Sequence, residues 1–187
     1  MKLNEIKNCP GTLAEGFSTY SPACLRRMFN GKKVSHLLQY DTPSHDEEVA
    51  REFMDNRKRI SISGVQEKLS MLLEKNVLRL TLEGEQGTYI LKPIPRDVQN
   101  PEQVPANEHM TMQIARQVFN INTAENSLVF FKDGTQAYIT RRFDVKEDGS
   151  KRGKEDFASL AGKSSDNSGP NFKYDYSYEE MGALIRR

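Results

Sequence analysis

The sequence has little cysteine, no tryptophan and almost no excess of charge. Two cysteines, Cys9 and Cys24, in 187 residues are too few for a disulfide framework, and they predict free thiols in a reducing compartment. The 27 basic and 26 acidic side chains nearly cancel, whereas proteins that bind nucleic acid along its backbone are usually strongly basic. We therefore expect no direct binding of nucleic acid.

Long apolar runs and clusters of metal ligands are also missing. No stretch of eighteen apolar residues occurs and the N-terminus lacks the apolar core of an export signal, which together predict a cytoplasmic protein without membrane contact. The histidines, His36, His45 and His109, are scattered and do not pair with Cys9 and Cys24 at the spacing of zinc ligands. We expect no metal at these residues.

Short helices are predicted in residues 1–59. Ser21 followed by Pro22 is typical of a helix start, because proline fits the first helical position, and Asn30 before a glycine is typical of a helix end. A second helix is predicted over about 42–54. Basic residues in this region are more simply explained by a solvated face than by a DNA-binding pair of helices.

The apolar pattern changes after residue 60 to short β-type runs. Three runs separated by tight turns predict an antiparallel meander, and two further runs predict a hairpin. Between the two groups, the prolines from Pro93 to Pro105 predict an extended connection, and a helix is predicted from about 106 to 119. The predicted strands are 69–73, 77–82, 88–92, 127–131 and 136–142.

The last part of the chain is polar and ends in a predicted helix. A loop over 146–171 is predicted to contain one helical turn or more, around 155–161. A capping box follows, in which Ser177 and Glu180 open the helix. Arg187 falls one or two turns into that helix, so we expect the protein to continue beyond it.

Two stretches have the residue types of a phosphate-binding site. The loop 61–68 is small and contains Gly64, so its backbone N–H groups could approach phosphate oxygens, although one glycine also fits an ordinary turn. Lys92 ends a strand, where a half-buried ammonium needs an anion or water. Glu108 is its candidate partner, as in the strand-lysine and helix-glutamate pairs of protein kinases, and stabilisation of the helix dipole is its alternative role.

Taken in order, these motifs resemble the HipA-type serine/threonine kinases, which are the toxins of bacterial toxin–antitoxin systems. The loop 61–68 resembles the phosphate loop of the family, and the strand that ends at Lys92 resembles its nucleotide-lysine strand. Residues 107–108 resemble the opening of its N-lobe helix, and 141–144 resemble its hinge. A fifth segment, 155–158, resembles the stretch that follows the hinge.

The resemblance implies an α+β fold with a kinase-like N-lobe, made of about five antiparallel strands and one packed helix. A small helical region would precede this lobe, and the truncated start of a helical C-lobe would follow it. The implied domains are 1–59, 60–145 and 146–187. The short N-terminal region is similar to that of the toxins of three-component HipBST-type systems, in which a separate small protein supplies the missing subdomain.

The resemblance also implies ATP as the ligand and assigns its binding residues. The loop before the first strand, the lysine with its glutamate, and the main chain of the hinge would hold the nucleotide. Ser61 or Ser63 would be the serine that the kinase phosphorylates in itself, and the motif does not distinguish the two. The implied ATP-binding residues are Ser63, Gly64, Val65, Gln66, Lys68, Lys92, Glu108, Arg141 and Phe143.

Phosphoryl transfer also needs an aspartate as base and oxygen ligands for Mg²⁺. The family supplies them in an Asp-x-His-x-x-Asn segment and a later aspartate, and none of the three histidines here is followed by asparagine at that spacing. We expect the catalytic aspartate and the Mg²⁺ ligands beyond Arg187, and no catalysis by these 187 residues alone. The alternative hypothesis is a naturally short module that binds a nucleotide or an antitoxin without catalysis.

The partners implied by the resemblance are proteins. Antitoxins of the HipB or HipS type would hold the toxin, and any contact with DNA would be made by the antitoxin. The substrate would be a translation-related protein such as an aminoacyl-tRNA synthetase.

Overall fold

The chain folds into two compact units, Met1–Phe143 and Asp144–Arg187. The structure is a computed structural model, and the α+β class predicted from the sequence is confirmed. The second predicted N-terminal helix lies almost wholly outside the described residues. The structure describes residues 6–43, 67–95, 98–146 and 148–186.

Helix α1 spans Pro22–Phe29, as the sequence predicts. The Ser21 hydroxyl accepts a hydrogen bond from the Cys24 N–H, and proline takes the first position because no donor is needed there. Asn30 ends the helix in the left-handed conformation, with φ of 54°. Cys24 and Cys9 are both buried and are not joined by a disulfide.

Five strands form one sheet in which every neighbouring pair is antiparallel. Each strand begins and ends within two residues of its predicted position, because alternation and turn residues mark strands well. The strands are β1 Leu69–Glu74, β2 Val77–Leu80, β3 Tyr89–Lys92, β4 Asn126–Phe130 and β5 Gln136–Arg141. Their order across the sheet is β2-β1-β3-β5-β4, which is consistent with a kinase-like N-lobe.

One face of the sheet packs against the N-terminal segment and helix α1. Their buried side chains, from Cys9 to Leu38, join alternate strand positions in a single hydrophobic core. The same segment covers the edge of β4, where the Leu38 N–H donates to the Phe130 carbonyl at 2.8 Å. The strand residues of this core are Leu69, Met71, Leu78, Leu80, Tyr89, Leu91, Val129, Ala137 and Ile139.

Helix α2 spans Val104–Gln117 and packs against β4 and β5 on the opposite face. It begins and ends about two residues earlier than predicted, and a 3₁₀ turn, Pro101–Gln103, precedes it. The predicted extended connection is therefore wrong at Pro101 and Pro105. Both prolines occupy the first turn of a helix, where the missing N–H has no intrahelical partner to lose.

The described residues of the second unit form three short helices, α3 Phe157–Leu160, α4 Ser165–Ser168 and α5 Tyr178–Ile185. Helix α3 lies within the predicted helical turn, and α4 lies in the loop that was predicted to contain one helical turn or more. The capping box at the start of α5 is present as predicted, with reciprocal hydrogen bonds between Ser177 and Glu180. No described helix is long and apolar enough to cross a membrane.

Candidate functional site

Lys92 and Glu108 meet on the face of the sheet that helix α2 covers. Strand β3 alternates, so that Tyr89 and Leu91 face the core while Ile90 and Lys92 face the other side. Lys92 Nζ lies 2.5 Å from Glu108 Oε1. The ion pair therefore joins the end of the central strand to the helix.

The ion pair remains accessible to solvent. The Lys92 side chain is 19% exposed and that of Glu108 is 28% exposed. Water reaches both side chains and screens part of their attraction. An ammonium carries three donors, and Glu108 needs one of them. An anion can thus bind Lys92 without displacing its partner.

The position of Glu108 in helix α2 favours its pairing role over the alternative. It is the fifth residue of a helix that begins at Val104, and the first turn contains no acidic residue. The influence of the helix dipole is concentrated in the first turn. The contact with Lys92 therefore accounts for the role of Glu108 better than stabilisation of the helix dipole does.

Tyr138 is a residue of this site that the sequence did not identify. It lies directly opposite Lys92 in the pairing of β3 with β5, and Lys92 Nζ is 5.2 Å from the centroid of its ring. Burial, together with the negative charge of Glu108, raises the pKa of the Tyr138 hydroxyl, which stays neutral. Only the register between the two strands brings these residues together.

Partly exposed apolar positions lie beside Lys92 on the same face. Ile90 stands between Ser70 on β1 and Thr140 on β5, and Leu72 lies two residues along β1 from Ser70. Leu72, Ile90 and Thr140 are half-buried, because α2 packs over β4 and β5. This arrangement suits a ligand that has a flat apolar part and an anionic part.

The predicted hinge begins at the last residue of β5, where main-chain donors are hydrogen-bonded, and continues to an exposed side chain. The N–H of Arg141 donates to the Glu125 carbonyl at 2.8 Å, and that of Arg142 donates to the Thr88 carbonyl at 2.8 Å. Phe143 lies beyond the sheet and its side chain is 71% exposed. The two predicted hinge residues thus differ: the N–H of Arg141 is bound to Glu125, whereas no main-chain hydrogen bond from Phe143 is found among the residues that the structure describes.

A sequence model of the family described as HipA-like C-terminal domain matches residues 60–187. The chain belongs to this HipA-like family. The match covers more than half of the sequence and includes the whole sheet, helix α2 and the second unit. The N-terminal segment that completes the core of this HipA-like protein precedes the matched region. A search of curated proteins gave no match.

The phosphate loop expected in this HipA-like chain lies almost wholly outside the described residues. Lys68 is described and directly precedes β1. The other predicted loop residues are not among those that the structure describes: Ser61, Ser63, Gly64, Val65 and Gln66. Their roles therefore stay predictions.

The described part of this HipA-like chain does not fit a Mg²⁺ site by itself. No group of three His, Cys, Asp or Glu side chains within it is arranged to hold a metal ion. Near Lys92, the carboxylate of Glu108 is already paired with the ammonium. No chemical step is therefore assigned to a metal at these residues.

Proposed function

We propose that the protein is a HipA-like, ATP-dependent serine/threonine kinase whose nucleotide site lies on the α2-covered face of the sheet. The observation that carries the proposal is the accessible Lys92–Glu108 ion pair, which joins β3 to α2. In protein kinases, a strand lysine paired with a helix glutamate contacts the ATP phosphates. Membership in the HipA-like family supports the same role here.

In this proposal each residue of the site has a defined task. Lys92 donates hydrogen bonds to phosphate oxygens while one of its N–H groups stays on Glu108. Glu108 and the ring of Tyr138 hold the ammonium in place. The adenine packs on Leu72 and Ile90 and meets the main chain near Phe143, because the N–H of Arg141 already donates to Glu125.

The proposal extends to regulation through the loop before β1. Autophosphorylation of Ser61 or Ser63 would add about −1.5 to −2 charges to the loop that approaches the ATP phosphates. Like-charge repulsion would then oppose nucleotide binding. The modification would switch the kinase off.

In the proposed mechanism, the residues of this site do not supply the base or the Mg²⁺ ligands of phosphoryl transfer. The 187 residues contain no Asp-x-His-x-x-Asn segment, so we expect them to bind ATP without transferring phosphate on their own. The proposed cellular role is that of a cytoplasmic toxin. An antitoxin of the HipB or HipS type would hold it, and a translation-related protein such as an aminoacyl-tRNA synthetase would be its substrate.

The test is the intact mass of the full-length gene product after incubation with ATP and Mg²⁺. The proposal expects a gain of one phosphate at Ser61 or Ser63, and no gain in Lys92→Ala. The control is Lys132→Ala, which removes an exposed lysine paired with Asp41 and should leave the gain unchanged. A phosphate gain that survives Lys92→Ala would contradict the proposal. Binding of ATP without any gain in the whole gene product would instead favour a binding module.

A further inference from the structure

A buried polar cluster joins helix α2 to the start of β4, where a helix and a sheet usually meet through apolar side chains. Two of the three buried residues of α2 are polar, His109 and Gln113. His109 Nδ1 lies 2.8 Å from Asn126 Oδ1, and Gln113 Nε2 lies 3.1 Å from the same oxygen. Asn126, which is 4% exposed, therefore binds both buried polar side chains of the helix.

The hydrogen bonds within this cluster determine the orientation of every group. Asn126 Nδ2 donates to the Ala124 carbonyl at 2.8 Å, so Oδ1 is the atom that faces the helix. Because Oδ1 only accepts, His109 must donate from Nδ1 and Gln113 must donate from its amide. Burial lowers the pKa of His109, which keeps the ring neutral with its proton on Nδ1.

The cluster fixes the rotation of α2 about its own axis. His109 and Gln113 are one helical turn apart and point the same way, and both bind a single atom of the sheet. Glu108 precedes His109 by one residue, which is about 100° around the helix. The direction in which Glu108 points therefore depends on where His109 is held.

Hydrogen bonds determine this register more strictly than apolar packing would. Apolar attraction is non-directional, whereas a buried donor that loses its acceptor is penalised. The last turn of α2 also bonds to this region. The Arg116 guanidinium donates to Glu125 Oε2 at 2.6 Å and to the Thr123 carbonyl at 2.7 Å. The acceptors for these helix side chains all lie just before β4 or at its first residue.

We infer that Asn126 is a positioning residue of the nucleotide site, because its side-chain oxygen holds α2 in the orientation in which Glu108 meets Lys92. The expected effect of Asn126 on ATP binding rests on the proposed function, whereas its expected effect on the Lys92–Glu108 ion pair does not. The Asn126 side chain hydrogen-bonds His109, Gln113 and the Ala124 carbonyl rather than Lys92. It acts through His109, Gln113 and the helix that carries Glu108.

The test measures the coupling between Lys92 and Glu108 with a double-mutant cycle. Lys92→Met, Glu108→Gln and the double variant are unfolded in urea, and the non-additivity of their unfolding free energies reports the ion pair. The cycle is repeated with Asn126→Leu, which removes the acceptor at similar volume. It is also repeated with Asn126→Asp, which keeps an acceptor oxygen, and with Thr111→Val, which removes a hydrogen bond to the Asn107 carbonyl on α2 outside the cluster.

The inference expects non-additivity in the wild type, in Asn126→Asp and in Thr111→Val, and its loss in Asn126→Leu. If Asn126→Leu is only less stable and the coupling persists, Asn126 has a purely structural role and the inference is wrong. Should that variant fail to fold, Gln113→Leu removes one of the two bonds to Asn126. It should then raise amide hydrogen exchange in α2 by about tenfold relative to β1, and unchanged exchange would contradict the inference.

Binding of ATP separates this inference from the proposed function. Asn126→Leu should weaken ATP binding by the same factor as Glu108→Gln does. If wild-type protein binds no ATP but the coupling depends on Asn126, the proposed function fails and the positioning role stands. If ATP binding requires Lys92 but the coupling ignores Asn126, the positioning role fails and the proposed function stands.

Discussion

The two faces of the sheet differ in composition although the same five strands form them. The face toward the N-terminal segment carries fully buried apolar side chains, and the face toward α2 carries Lys92, Asn126 and Tyr138. The contrast is sharpest at neighbouring residues, since Leu91 is 0% exposed and Lys92 is 19% exposed. Strand alternation thus separates the residues that stabilise the fold from those that form the site.

The largest expected effect on stability comes from truncating the apolar face. Leu91→Ala should lower the free energy of unfolding by about 2–5 kcal/mol, because it leaves a cavity at a fully buried position. Leu82→Ala, at an exposed position, should change it by less than about 0.5 kcal/mol. Urea unfolding of both variants checks this. A loss below about 1 kcal/mol for Leu91→Ala would show that this face is not the main core.

A smaller loss is expected where the N-terminal segment passes over α1. A Cβ at Gly11 would lie 2.2 Å from Cys24 Sγ and 3.0 Å from Ser127 Oγ. Gly11→Ala should therefore cost about 1–3 kcal/mol through overpacking. The matched control is Gly153→Ala, whose Cβ would meet no atom within 4 Å. Equal thermal denaturation midpoints for the two variants would mean that the segment is not packed as described.

Substitution on the α2-covered face should change stability much less than substitution in the apolar core. Lys92→Met removes a partly exposed ion pair and should change the free energy of unfolding by no more than about 1 kcal/mol. The same urea titration as for Leu91→Ala gives the comparison. If Lys92→Met destabilises the protein as much as Leu91→Ala does, the two faces do not have the separate roles described here.

The smallest effect is a dependence of stability on pH. Burial lowers the pKa of His109 and of His36, so the folded protein binds fewer protons than the unfolded chain does. Their contribution to stability is complete above the unfolded pKa of about 6.5 and is lost as the pH falls below it. Unfolding free energies measured between pH 7.5 and pH 5.5 should therefore decrease less steeply in a His36→Gln, His109→Gln variant. An identical slope would show that neither ring is held neutral by burial.

Local structure was predictable because it depends on neighbouring residues. Ser21 and Asn30 mark the ends of α1 by capping, and the capping box at Ser177 marks the start of α5 in the same way. The strands followed from alternation and turns. The candidate pairing of Lys92 with Glu108 came from the analogy with the strand-lysine and helix-glutamate pairs of protein kinases.

The rest of the site depends on contacts between distant segments. Tyr138 reaches Lys92 only through the register of β5 on β3, and Asn126 reaches His109 only because α2 crosses β4. Nothing in the local sequence distinguishes Asn126 from an ordinary polar residue at a strand end. The start of α2 was predicted about two residues too late for a different reason. Pro101 and Pro105 fit a helix start as well as an extended connection.

The most direct test of the central claim is a calorimetric titration of ATP into the 187-residue chain. Wild-type protein should bind, Lys92→Met should bind at least about tenfold more weakly, a loss of about 1.4 kcal/mol, and Lys132→Met should bind like the wild type. All three should have the same circular dichroism spectrum. Equal affinity of Lys92→Met and wild type, or no ATP binding by folded wild-type protein, would contradict the assignment of the nucleotide site to the α2-covered face of the sheet.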